Sequence, residues 1–165
     1  MESTSRRDLL RTGWKFGGAL LIGAAVYTGY EALRPLTTGA GGVKIVVGDV
    51  GNFAQNTSTY FSVGRFYVVN ASNHLFALSQ KCPHLGCRVP YCESSGRFEC
   101  QCHGSVFDLA GEWITGPAPN GMNRYDLTLD GRKVVVDTGK EKAGPPRGAH
   151  DFLTPPKGPS CIGKA

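Results

Sequence analysis

An uncharged, mostly apolar run fills residues 16–30, and beyond it hydrophobic and polar positions alternate in short bursts. Fifteen helical residues reach only about 22 Å, short of a hydrocarbon core of roughly 30 Å. Extension to Trp14 and Leu33 brings the span to about 30 Å. Lys15 can then snorkel at one end and Glu31 can sit at the other interface. Trp14, Tyr27 and Tyr30 suit interfacial anchoring. Ala19, Gly23, Ala25 and Gly29 include small residues four apart, which permit close packing against another helix. The pattern predicts one transmembrane helix over 14–34. A cleaved signal peptide is the competing reading, but no small-x-small cleavage site follows the run. A buried core helix is a third.

The alternating part predicts strands over 43–50, 59–63, 66–70, 74–80, 97–101, 105–108, 124–129 and 132–137. Turns are expected at Gly64-Arg65 and at Asp130-Gly131. No amphipathic helix competes, so the head over 43–138 is expected to be all-β, with its functional loops between strands. Around it lie segments of other character. Residues 1–13 hold Arg6-Arg7-Asp8-Leu9-Leu10-Arg11, which resembles a twin-arginine export signal. Residues 35–42 form a linker, with Gly39, Gly41 and Gly42 as candidate hinge positions. Residues 139–165 carry five prolines and five glycines, which predicts an extended strap or a mobile tail without regular structure.

Charge changes this picture little. The chain carries +5, with 18 basic and 13 acidic residues. Five basic and three acidic residues precede Val43, leaving 13 basic against 10 acidic for the rest. No Lys/Arg run with interleaved aromatics follows residue 43, which argues against nucleic acid as a partner. Basic residues ahead of the apolar run keep the N-terminus cytoplasmic. The head is therefore expected on the periplasmic side of a prokaryotic cytoplasmic membrane. His74 and His150 are expected to be bystanders, and Trp113 a packing residue.

Chemistry concentrates in two short blocks, Cys82-Pro83-His84-Leu85-Gly86-Cys87 and Cys100-Gln101-Cys102-His103-Gly104-Ser105. Each offers one thiolate and one imidazole at close spacing. Zinc accepts two Cys and two His, but a one-residue gap from Cys to His is uncommon for structural zinc. Cys87 and Cys102 would also be left over. A binuclear iron–sulfur cluster with thiolates on one iron and imidazoles on the other matches Cys82, His84, Cys100 and His103.

The pattern C-x-H-x-G-C followed by C-x-C-H-G-S resembles that of the Rieske family and is complete over residues 82–105. Gly116, Pro117, Ala118 and Pro119 look like the family's proline-rich loop that covers the cluster. The resemblance implies an antiparallel β-sandwich head with a cluster-binding loop subdomain and one [2Fe–2S] cluster. It implies a disulfide between Cys87 and Cys102, which subunits of quinol-oxidising complexes carry and Rieske ferredoxins generally lack. Export to an oxidising compartment would let such a bond persist. Cys92 and Cys161 are left to form a second disulfide, to stay free, or to link to a partner.

Further roles follow from the resemblance. Ser105 stands at the position of a serine whose hydroxyl donates to a bridging sulfide. Phe107 replaces the tyrosine that donates to a cysteine sulfur in high-potential members, which lowers the expected potential and favours menaquinol. Gly86 and Gly104 flank the histidines, and Leu85 would contact a docked quinone. His84 or His103 would accept a hydrogen bond from quinol and take its proton along with the electron. The expected partners are a cytochrome b-type quinol-oxidising subunit and a c-type cytochrome. The alternatives are the small subunit of an exported molybdenum oxidase resembling arsenite oxidase, and a free-standing carrier.

Overall fold

The structure, a computed structural model, describes residues 5–33, 42–152 and 155–162. They fall into two compact units, one on either side of the linker. The first holds a single helix, α1 (Arg6–Leu33), none of whose residues is buried. It starts eight residues before the apolar span expected from 14. Ser5 caps it: the Ser5 hydroxyl accepts from the Arg7 amide, and the Ser5 carbonyl accepts from the Asp8 and Leu9 amides. Arginine, leucine and aspartate in the first turns do not oppose a helix, so it winds through the arginine pair. Among the described residues it is the one helix long and apolar enough to cross a membrane, by length and composition.

The second unit is all-β. Its strands are β1 (Lys44–Asp49), β2 (Thr57–Phe61), β3 (Phe66–Ala71), β4 (His74–Ser79), β5 (Tyr91–Cys92), β6 (Arg97–Glu99), β7 (Val106–Phe107), β8 (Trp113–Thr115), β9 (Arg124–Asp130) and β10 (Lys133–Lys142). Six form one antiparallel sheet in the order β1-β10-β9-β4-β3-β2. The other four, β5-β6-β7-β8, form a small antiparallel sheet inserted between β4 and β9. The expected architecture of an antiparallel head with a loop-bearing subdomain is present.

Period-2 alternation explains how one sheet serves two cores. Phe66 and Val68 of β3, Ala77 of β4 and Val134 and Val136 of β10 pack with Phe53 in the first core. Tyr67, Val69 and Ala71 of β3 and Leu78 of β4 point the other way, into a second core with Phe98, Phe107, Leu109 and Met122. β3 is thus covered on both faces, which accounts for its nearly continuous apolar sequence. Each large side chain so buried contributes roughly 1.5–3 kcal/mol. The second core also contains Cys82 and Cys100, so the wall behind the chemistry is part of the packed interior.

Several boundaries move from their expected places. β2 begins two residues earlier than 59 and ends at Phe61, short of 63, with Val63 exposed in the turn toward β3. The β9–β10 turn centres on Gly131 and Arg132, with Gly131 at φ +59°, one residue beyond the expected Asp130-Gly131. β10 runs on to Lys142 through a register shift after Asp137, past the boundary expected at 138. β5 and β8, not foreseen, have two and three residues, too few to show a period. Gly39 and Gly41 lie outside the described residues. Gly42 sits against the backbone of Gly139 so closely that a side chain at either would collide.

Candidate metal centre

Two loops at one end of the small sheet carry the cysteine and histidine blocks, and they repeat one backbone pattern. The Cys82 amide donates to the Cys87 carbonyl (2.8 Å), and the Gly86 amide donates to the Cys82 carbonyl (2.9 Å). In the second loop the Cys100 amide donates to the Ser105 carbonyl (2.8 Å), and the Gly104 amide to the Cys100 carbonyl (3.0 Å). Gly86 and Gly104 take matching positive φ values of 77° and 73°. No neighbour crowds either glycine, so it is the left-handed backbone that calls for the residue type.

This pattern turns Cys82 and Cys100 inward, 3% and 1% exposed, and they are the two free cysteines among the described residues. Burial raises the pKa of the Cys82 thiol, and the adjacent Cys100 raises it further, while the nearby Ser105 hydroxyl opposes the shift. The His84 and His103 rings face each other edge-on, centroids 4.9 Å apart. His84 Nδ1 is buried and has no hydrogen-bond partner, an arrangement that is costly for an imidazole and natural for a metal ligand. Two buried thiols and two paired imidazoles on matched loops fit a [2Fe–2S] cluster of mixed ligation.

Cys87 and Cys102 are joined by a disulfide, Cα atoms 6.7 Å apart, that ties one loop to the other. The Cys100 sulfur lies within 4.8 Å of both. Cys92 and Cys161 are also joined, 69 positions apart in sequence. Leu85 stands at the tip of the first loop, 69% exposed, and His103 is exposed in the second.

A third segment closes over the pair. In the run Gly116, Pro117, Ala118 and Pro119, Ala118 is fully buried and its amide donates to Ser105 Oγ (3.1 Å). Ser105 is itself buried, and its oxygen accepts this bond while its own proton stays available to donate. Gly116 has φ +95°, and a Cβ there would strike the Ser105 backbone. Trp113 Nε1 donates to the Gly116 carbonyl (3.2 Å), which gives this expected packing residue a second task. Phe107 is fully buried in β7.

Sequence reading missed one support. Glu99 is buried and accepts from the Ser95 hydroxyl (2.6 Å), the Ser160 hydroxyl (2.8 Å) and the Cys161 (2.6 Å) and Ile162 (3.1 Å) amides. A carboxylate between Phe98 and Cys100, both core positions, was the available signal. The segment after Lys142, expected as an extended strap or a mobile tail, lies along the head over its described residues. There Gly144 sits on the Gly121 and Met122 carbonyls, and Phe152 packs edge-on against Phe76 (5.1 Å).

The family model described as "Rieske [2Fe-2S] domain" matches residues 43–126. The chain is 32% identical over 137 residues to the cytochrome b6-f complex iron-sulfur subunit of Chlorobaculum tepidum, covering 78% of this chain and 76% of that one. It is 29% identical over 146 residues to the same-named subunit of a Synechococcus species, covering 79% and 85%. Among solved structures, the plasma membrane Rieske protein of Synechocystis PCC 6803 superposes with a TM-score of 0.46 at 27% identity, covering 56% of this chain and 98% of that one.

Proposed function

The chain belongs to the Rieske [2Fe–2S] domain family, and from that membership we propose that it is the electron-transfer subunit of a membrane quinol–cytochrome oxidoreductase. The names of the relatives, iron-sulfur subunits of cytochrome b6-f complexes, support this assignment. Its partners are then a cytochrome b-type quinol-oxidising subunit and a c-type cytochrome. α1 anchors it with the N-terminus in the cytoplasm, and the basic residues Arg6, Arg7 and Arg11 at its start support that sidedness. Residues 35–42 tether the head.

Cys82 and Cys100 would hold one iron, and His84 and His103 the other. When bound, the cluster supplies a one-electron carrier at roughly −150 to +300 mV, above the about −400 mV of plant-type ferredoxins. The chain's residues supply the rest. Burial of both thiols keeps water from the sulfur side. The exposed His103 and the apolar tip at Leu85 offer a quinol an imidazole acceptor beside a hydrophobic contact. A proton moves from the quinol hydroxyl to the outer nitrogen of His103 or His84. The Ser105 hydroxyl, which accepts from the Ala118 amide, would keep its proton free to donate toward the cluster.

The observation that carries this reading is the pair of matched loops presenting two free thiols and two facing imidazoles at one tip. The full chain purified from its native membrane should contain two irons and two acid-labile sulfides, about one cluster per head. Its reduced form should give a rhombic spin signal of mixed nitrogen and sulfur ligation. Copurifying b- and c-type haem supports the complex, and a copurifying molybdenum subunit in their place overturns it.

Phe107 argues for a low-potential quinol such as menaquinol. It is buried in the core that contains both free cysteines and has no hydroxyl to donate to a sulfur. Phe107→Tyr should raise the midpoint potential by tens of millivolts, since one neutral hydrogen bond contributes about 0.5–1.5 kcal/mol. Redox titration of the purified protein is the check, and an unchanged midpoint would remove the case for menaquinol.

A further inference from the structure

The segment that follows β10 reaches the lid of the cluster site through one side chain. Arg147 Nε donates to the Ala118 carbonyl (2.8 Å), and its Nη2 donates to the Gly116 carbonyl (3.1 Å). The same guanidinium lies over the Trp113 ring, 4.6 Å from its centroid. Trp113 in turn donates to the Gly116 carbonyl. The two carbonyls on either side of Pro117 are thus gripped by one planar fork, with an indole beneath it. Arginine has the donor geometry for this; a lysine has one point charge.

Arg147 is itself held in place. Asn120 and Pro146 form an antiparallel bridge, and the Gly121 amide donates to the Pro145 carbonyl (2.8 Å). Gly144 approaches the Gly121 and Met122 carbonyls too closely for any side chain. These contacts bracket the loop from its C-terminal side and fix the start of the segment that carries the arginine. On the inner face of the same loop, the Ala118 amide bonds Ser105 Oγ. One residue separates the grip on the outside from the serine on the inside.

We infer that Arg147 is a positioning residue for the cluster, fastening the 116–119 loop so that the Ala118 amide fixes the orientation of the Ser105 hydroxyl. Arg147 lies beyond the residues 43–126 that the family model matches, in the segment that follows β10. The inference rests on the proposed role of Ser105 and on the ligand set above. It states that the segment after β10 acts on electron transfer and is more than packing.

The test uses the full chain with its cluster, as wild type, Arg147→Ala, Arg147→Lys and Arg132→Ala. Arg132 is the control, an exposed arginine paired with Asp49 on the far sheet. All four should hold iron and sulfide equally; a wild type without them would sink the ligand assignment, not the clasp. Two quantities are then read. Deuterium uptake by the peptide around Ala118 should speed up at least tenfold in Arg147→Ala and less in Arg147→Lys, which keeps the charge over Trp113. The midpoint potential should fall in the same order, because a loosened Ser105 hydroxyl stabilises the reduced state less. Arg132→Ala should leave both at their wild-type values. Uptake unchanged in Arg147→Ala, or a midpoint that stays put or rises, overturns the assignment.

Discussion

Cys82→Ser and Cys100→Ser should each give a protein that folds its large sheet yet carries less than a tenth of the wild-type iron. Both positions are buried in the second core, where an alcohol is a poor iron ligand and cannot recruit solvent to replace the lost sulfur. The first core draws on β1, β3, β4 and β10 and contains no cysteine, so its packing should survive. Iron and sulfide analysis, the visible spectrum and β-sheet circular dichroism check the outcome together. Cys92→Ser is the matched control: it removes a sulfur from the disulfide with Cys161 and should leave the iron in place. If Cys82→Ser kept its iron, the assignment of ligands to these loops would fail. If the wild type bound zinc in place of iron, the spectrum would be colourless from the start.

The readable part of the site was readable because its chemistry is local. Cys82 and His84 share one tight loop, as do Cys100 and His103, so residue type and spacing suffice. What brings the loops together is not local. Their antiparallel meeting depends on β5, β6, β7 and β8, and all four have only two or three residues, too few to show a period. The disulfide between Cys87 and Cys102 and the loop at Gly116 were legible only through resemblance to a family. The partners of Glu99 and Arg147 were not legible, for a different reason. Each of these two is a charged residue whose partners, Ser95 apart, come from about thirty or more residues away in sequence, and no periodic pattern marks such a contact. The same holds for the segment after Lys142. Its prolines and glycines correctly announced an irregular backbone, but they also serve close approach: Gly144 fits where a larger residue would not.

The second large effect concerns that segment's far end. Its last described turn is fixed twice over, by the disulfide from Cys161 to Cys92 and by three hydrogen bonds from Ser160, Cys161 and Ile162 to Glu99. A cross-link spanning 69 residues stabilises by about 4 kcal/mol in the chain-entropy account, against about 3 kcal/mol for a 15-residue loop. The distal bond is therefore the stronger contributor to global stability, although the bond at Cys87 is the one beside the Cys100 thiol. The double variant Cys92→Ser/Cys161→Ser should lower the urea midpoint by on the order of 2 M, given a slope of about 1–3 kcal/mol/M. Trp113 fluorescence would follow the head.

Glu99 adds a pH signature to the same turn. Burial raises its pKa, but the Ser95 and Ser160 hydroxyls and the Cys161 and Ile162 amides outweigh that, and the net shift is downward. A carboxyl depressed in the folded state stabilises fully above its ordinary pKa of about 4.3 and loses that contribution as pH falls through the folded value. The wild type should thus weaken steeply below about pH 4. In the double serine variant the three donors from residues 160–162 are free to leave, so this acid-dependent part should shrink along with the midpoint. Glu99→Gln should reproduce the acid insensitivity with both cysteines still joined, at a cost of about 2 kcal/mol for the charged hydrogen bonds lost. A double variant that unfolds at the wild-type urea concentration, with the same acid limb, would mean that the other contacts of the segment hold it without either device.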